Sequence, residues 1–354
     1  MPLVAHNHLP SFAKLEGEGL RMLSAESARQ QDIRELHIGL LNMMPDAALE
    51  ATERQFLRLI GESNPIAQFF VHPFTLDALP RGDAARQHID SYYESFDEIR
   101  AQGLDALIIT GANVIGADLS KEVFWEPLIE VADWAHDRVT STLCSCLATH
   151  AVLDFRYGQQ REKQRSKKWG VFRHRVMDPS HPLVSDVNTE FDVPHSRWNT
   201  VHPEQYQAAG LRILVTGDDG CVHLATSPDG FRGVFFQGHP EYDTISLLKE
   251  YKRDVNLYIN GEMETYSPMP DNYFDVFCQA VMHEYQGRVE RCLRQNRQPP
   301  EFPEHLVVPR LKNTWQDSAS AVVGAWVGLV YQVTNIDRHE PFMPGVDVDN
   351  PLGL

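Results

Sequence analysis

The stretch VTSTLCSCLATHAVLDF, Val139 to Phe155, decides how the rest of the chain is read. Its β-branched residues Val139, Thr140 and Thr142 suit a strand, which stops at Cys144-Ser145-Cys146. Leu147, Ala148, Ala151, Val152 and Phe155 then recur at helical spacing. A cysteine therefore stands where a strand turns into a helix. In a parallel α/β sheet, ligands gather at the carboxyl ends of the strands. A nucleophile on such a turn is lifted out of the core, and the N–H groups of the following helix aim at the same place. Those groups lower a thiol's pKa and stabilise an oxyanion on an attacked carbonyl. Cys146 fits this turn, with Ser145 and Ala148 small enough for a sharp bend. The competing reading is a buried structural cysteine, the commoner fate of a free thiol.

Working outward, the apolar run LHIGLLN (Leu36 to Asn42) reads as a buried strand. DAALEATERQFLRLIG follows as a helix, with Ala48, Leu49, Phe56, Leu57 and Ile60 on one face and Gly61 as its stop. A strand near AQFFVHPF, a helix near AARQHIDSYYESFDEIRAQG, the strand LDALIITG and the helix WEPLIEVADWAHD complete an alternation. That series predicts a doubly wound α/β core over residues 33–260, its mostly parallel sheet covered by helices on both faces. After Gly170 the pattern changes to shorter strands and turns, including GDDG and SPDG. It returns to an apolar strand at GVFFQGHPEY and a helix from about Thr244 to Ile259. Residues 1–32 form an N-terminal segment. Beyond a Pro-rich stretch, Ser267 to Asp271, residues 261–354 read as a helical part packed on the core and interrupted at QPPEFPEH.

Composition sets limits. The 354 residues, 42% apolar, can bury a sizeable core. No N-terminal stretch joins a basic region to an apolar one, so no signal peptide is expected. The longest apolar run, Ala321 to Tyr331, is eleven residues, short of the roughly 20 a membrane helix needs. It reads as a buried helix or an oligomer contact. The five cysteines match no zinc spacing and suit a reduced, cytoplasmic protein. The formal charge of −17 argues against nucleic acid as a partner. Locally, Arg161, Lys163, Arg165, Lys167, Lys168, Arg173 and Arg175 face a single acidic residue, Glu162. The segment is either a solvated loop or a site for a phosphorylated or carboxylated small molecule.

A nucleophilic cysteine wants a base. QGHPEYD ends an apolar strand with His239 and Glu241 two residues apart, hence on one face of an extended chain. A carboxylate there can hold the imidazole in the correct tautomer. Cys146, His239 and Glu241 form the candidate triad.

The ordered set LLNMMP, QFLRLIG, LIITGA, VTSTLCSCLATHAVL, PHSRW, GHPEYD and VYQVTNID resembles homoserine O-acyltransferases of the homoserine O-succinyltransferase type. The resemblance covers most of the chain and implies a fold like that of class I glutamine amidotransferases. It implies Cys146 as the acylated nucleophile, His239 as the base and Glu241 as the acid that orients it. It further implies Lys167 and Ser196 as substrate-binding residues, and Arg253 as the arginine holding the homoserine carboxylate. The Leu147 N–H is suited to the oxyanion. Acyl-CoA and L-homoserine are the implied substrates, with no further cofactor, no metal and a homodimer expected.

Two positions depart from the family's pattern. Lysines expected after the Leu-Met-Pro motif are replaced by Asp46 and Ala47. Ile115 stands where a glycine accompanies succinyl transfer and a glutamate acetyl transfer. Succinyl-CoA is the favoured donor, with acetyl-CoA the alternative. A glutamine amidotransferase-like hydrolase, or a binding protein without catalysis, remain as other classes. His150 and His195, lacking paired spacing, read as structural residues rather than metal ligands.

Overall fold

A computed structural model describes residues 3–64, 67–114 and 116–354. Two short strands, β1 (Val4–Ala5) and β2 (Leu23–Ser24), pair in parallel near the N-terminus. The remaining strands form one nine-stranded sheet. In chain order they are β3 (Glu35–Leu41), β4 (Gln68–Phe74), β5 (Ala106–Ile109), β6 (Ser141–Ser145) and β7 (Glu162–Val176). β8 (Glu190–Thr200), β9 (Arg212–Gly217), β10 (Val222–Thr226) and β11 (Gly233–Phe236) follow. Their spatial order is β4-β3-β5-β6-β11-β10-β9-β7-β8. From β4 to β11 neighbouring strands are parallel, and from β11 to β8 they are antiparallel.

The parallel half follows from its sequence. β4 and β5 are buried at every position, as strands covered on both faces must be. Along β5, Ala106 and Ile108 face one core while Leu107 and Ile109 face the other. The first core takes Phe56, Leu57 and Ile60 of the helix Asp46–Ser63, and Val323 and Trp326 of the helix Gln316–Val333. The second takes Leu128 and Val131 of Trp125–Arg138 together with Leu147, Ala148 and Ala151 of Leu147–Tyr157. A third cluster joins Trp169 and Val171 of β7 to the helices Ser246–Ile259 and Val276–Arg294. The chain is the α/β protein its alternation predicts.

Three local expectations need correction. The helix after LLNMMP runs through Gly61 to Ser63, since helix interiors tolerate glycine at modest cost. The single helix expected over AARQHIDSYYESFDEIRAQG is two, Asp83–Tyr92 and Phe96–Gln102. Between them the Glu94 N–H donates to Pro73 O at 3.0 Å, and Ser95 opens the second helix with a capping box to Glu98. From Lys163 onward the basic segment is no loop: it lies on β7, which pairs with β8 as a long hairpin broken between Lys163 and Lys168, while Arg161 stands just before the strand.

The run Ala321 to Tyr331 lies within the helix Gln316–Val333, with Val322, Val323, Trp326, Val327 and Val330 buried. Trp326 Nε1 donates to Ser141 Oγ at 2.8 Å, fixing this helix to the start of β6. Among the described residues, no helix is long and apolar enough to cross a membrane.

Candidate active site

β6 ends at Ser145, and Cys146 turns the chain with φ of 50° and ψ of −102° before the helix begins at Leu147. A positive φ at a residue bearing a Cβ costs of order 1–3 kcal/mol and persists only where its surroundings impose it. The Cys146 N–H donates to Phe236 O of β11 at 2.8 Å. Thr149 Oγ1 lies 2.9 Å from Cys144 O and 2.8 Å from the same Phe236 O, bracing the turn from below. Leu147 is the first helical residue, so its N–H has no intrahelical acceptor. Gly111, after β5, leaves room there: a Cβ on it would stand 3.6 Å from Cys146 Cβ and 3.9 Å from Leu147 N. Cys144 is different. It is buried in the second core, which pushes its thiol up to about 12.

His239 follows β11 and meets the turn. Its backbone N–H donates to Pro194 O at 2.9 Å, and its Nδ1 lies 2.8 Å from Glu241 Oε1. Nε2, the other ring nitrogen, is buried without an oxygen or nitrogen partner. Burial alone would lower the pKa of His239; the Glu241 carboxylate, then the adjacent Cys146 sulfur, outweigh it and hold the imidazole well above its ordinary value. Cys146, His239 and Glu241 thus come together as sulfur, imidazole and carboxylate in series. Gly238 permits this close seating, since a Cβ there would be 2.5 Å from Val193 Cγ1 and 2.9 Å from His223 Nδ1.

A second group adjoins the first. Tyr242 stacks on the His239 ring at 4.3 Å between centroids and donates its hydroxyl to Glu250 Oε1 at 2.7 Å. Lys167 Nζ and Ser196 Oγ both donate to Glu250 Oε2, at 3.0 and 2.6 Å. Burial would raise the Glu250 pKa, but the Lys167 charge and the hydroxyls of Ser196 and Tyr242 hold it below the usual range. Lys167 on β7 and Ser196 on β8 therefore share one acceptor, which sequence reasoning missed. Glu250 sits among the charged residues of LLKEYKRD and carries no signal of its own.

Arg253, one helical turn beyond Glu250, is exposed and bonds its neighbour Asp254 at 2.9 Å. Ile115 lies outside the described residues. The Arg161 guanidinium donates to the carbonyls of Val114, Gly116 and Ala117. Arg161 is buried, and its charge interacts with Cys146. Where lysines were expected near Asp46, the chain supplies Arg81, which donates to Thr75 Oγ1 at 3.0 Å and pairs with Asp46 at 3.4 Å. His150 is buried with Nε2 3.1 Å from Gln237 Oε1, and burial pushes its pKa down to about 3. His195 stacks on His174 with its Nε2 3.1 Å from that ring's Nε2.

A sequence model described as "Homoserine O-succinyltransferase" matches residues 2–336. A homoserine O-succinyltransferase of Thiobacillus denitrificans is 64% identical over 354 residues, covering 100% of both chains. One from Allochromatium vinosum is 63% identical over 354 residues, covering 100% of this chain and 99% of its own. Among solved structures, a glutamine amidotransferase of Thermotoga maritima matches 84% of this chain and 98% of its own, at 7% identity and a TM-score of 0.44. The full-length identity to these transferases, together with the matching profile, places the chain in the homoserine O-succinyltransferase family.

Proposed function

We propose that this protein transfers the succinyl group of succinyl-CoA to the hydroxyl of L-homoserine through a thioester on Cys146. The observation that carries the reading is the buried His239–Glu241 pair set against Cys146 on its strained turn. The names of the relatives support the substrates. In the first half-reaction the Cys146 thiolate attacks the thioester carbonyl, and the Leu147 N–H holds the oxyanion. CoA leaves with the proton of the His239 imidazolium. In the second, neutral His239 takes the proton of the homoserine hydroxyl as its oxygen attacks the acyl-enzyme. Collapse expels the Cys146 thiolate and restores the ion pair. Glu241 fixes the imidazole tautomer throughout. No resident cofactor enters, because thiolate and imidazole supply both nucleophile and proton carrier. Intact-mass detection of a succinyl adduct on Cys146, discharged by homoserine, tests the scheme. No adduct with either acyl-CoA would sink it.

Lys167 and Ser196, tied through Glu250, are assigned to substrate, and Arg253 to the homoserine carboxylate. Glu250→Gln and Arg253→Ala should each lower homoserine kcat/KM by roughly 100-fold, the cost of misplaced substrate. Succinyl-enzyme formation should stay within several-fold of the parent, because only the second half-reaction uses the amino acid. Equal losses in both half-reactions would make these residues structural.

Donor choice rests on the relatives' names and on positive charge near the nucleophile, where Arg161 supports a carboxylated acyl group. Purified enzyme should show the higher kcat/KM with succinyl-CoA. A higher value with acetyl-CoA overturns this reading. Ile115→Gly should raise the succinyl-to-acetyl ratio if that side chain lines the acyl pocket.

A further inference from the structure

At the β4 edge of the sheet, three strands from β6, side chains meet that the transfer chemistry does not use. His6 follows β1, His37 lies on β3, His72 on β4, and Glu94 in the bridge that follows the helix Asp83–Tyr92. One ligand-type atom each of His6, His72 and Glu94 lies within 4.8 Å of the others. His6 Nε2 is buried and has no hydrogen-bond partner, while its Nδ1 is 3.2 Å from Val4 O. His72 has Nδ1 2.6 Å from Glu94 Oε1 and Nε2 2.9 Å from His37 Nδ1. Glu94 Oε2 accepts from Gln102 Nε2 at 2.7 Å. Each of the three thus offers one inward atom and anchors its other end outside the cluster, which is how metal-ligating histidines and carboxylates are held.

We propose that His6 Nε2, His72 Nδ1 and Glu94 Oε1 bind one divalent transition-metal ion of the zinc type, with water completing a tetrahedral set. Two imidazoles and a carboxylate are a donor set that zinc accepts. Binding needs a shift of tautomers and an opening of the His72 Nδ1–Glu94 Oε1 pair from 2.6 Å to about 3.3 Å, the spacing of two ligands on a tetrahedral ion. With the ion on His72 Nδ1, the His72 proton sits on Nε2 and points to His37 Nδ1. The His37 proton then sits on Nε2, 3.4 Å from Glu35 Oε2, so no proton leaves. Of the groups that face His6, the Glu94 carboxylate favours a cation, while the Arg338 charge acts on His37, one ring further out. A second ligand-type group, His174, His195 and Cys221, lacks this balance. There Lys168 Nζ lies 2.7 Å from Cys221 Sγ and Arg197 Nε 3.4 Å from His195 Nδ1, two positive charges that oppose a metal. The proposed ion would pin the N-terminal strand, where Leu3 already bridges Phe69 in parallel, to the open edge of β4.

The test uses the full chain, stripped with chelator and then dialysed against buffered Zn²⁺ or Co²⁺. The expected result is one ion per chain by elemental analysis, a tetrahedral cobalt spectrum without thiolate charge transfer, and a higher Tm with metal. His6→Ala and Glu94→Gln should each bind roughly 100-fold or more weakly, and His37→Gln roughly 10–100-fold more weakly, as for a lost outer partner. Cys221→Ser should bind as the parent does. Melting in chelator, expected to match the parent for His6→Ala, separates loss of metal from loss of fold. Substoichiometric metal in the parent, a thiolate band with cobalt, or parent-like binding by His6→Ala overturns the proposal.

Discussion

Cys146→Ser is expected to lower kcat/KM for acyl transfer by about 10⁴-fold or more while the protein still folds, as for a nucleophile whose partners act with it as a unit. The reason is the chemistry of the turn. A serine hydroxyl at the same φ keeps the N–H bond to Phe236 O, but it is a weaker acid and nucleophile than a thiol and a poorer leaving group in the second step. Cys144→Ala should stay within about tenfold of the parent in activity and lose about 1–2 kcal/mol of stability, the cost of a small cavity. Its thiol points into the second core and burial keeps it protonated. Adduct mass and steady-state rates on the two variants decide between them. Exchanged phenotypes would mean the wrong thiol has been assigned.

Gly170→Ala should destabilise the fold by ~4 kcal/mol, in the range where a single change is exceptional. Gly170 adopts φ of +143°, and a Cβ there would lie 2.2 Å from Asp271 O and 2.5 Å from Asp271 N. Those are backbone atoms held on both sides, with Val171 N–H donating to Asp271 O and Asp271 N–H to Trp169 O, each at 2.9 Å. They cannot swing aside as a flexible side chain would. Displacing this crossing also moves Trp169, over whose ring Lys167 Nζ sits at 4.4 Å, so homoserine KM should rise in whatever protein still folds. Gly158→Ala is the control: its φ is +66° but nothing stands within 4 Å, so it should cost only about 1–2 kcal/mol of left-handed strain. Denaturant midpoints measure both. A Gly170→Ala protein within 1 kcal/mol of the parent would mean that β7 and the 267–271 segment part easily.

The parallel half of the sheet and the nucleophile turn were legible because their signals are local. Buried strands such as ALII, Ala106–Ile109, are apolar throughout, and a cysteine between a strand and a helix needs no distant information. The β7–β8 hairpin was not legible. Its strand EKQRSKKWGVFRHRV is polar on both faces for half its length, and no tight two-residue turn marks its link to β8. Lys167 and Ser196 come from the motif resemblance and His239 from its place beside Glu241 at a strand end, but Glu250, which joins the first two, looks like any charged helix residue until Tyr242 and β8 close over it. In the sequence Arg161 is one basic residue among its neighbours. Only packing separates this buried clamp on Val114, Gly116 and Ala117 from the exposed arginines near it.

The helix Gln316–Val333 completes the same core as β3 and β6, and its ties span very long stretches of chain. Trp326 reaches Ser141 across 185 positions, and the Thr334 hydroxyl reaches Asp105 across 229. Contacts of such separation are closed late and slow folding down. A ribosome must therefore synthesise the chain through Val333 before the nucleophile strand gains its last cover. Until then Leu143 and its neighbours face solvent, exposed to chaperones or to aggregation. The yield of active protein from synthesis should accordingly depend on how fast this last helix docks, more than on the stability of the finished molecule.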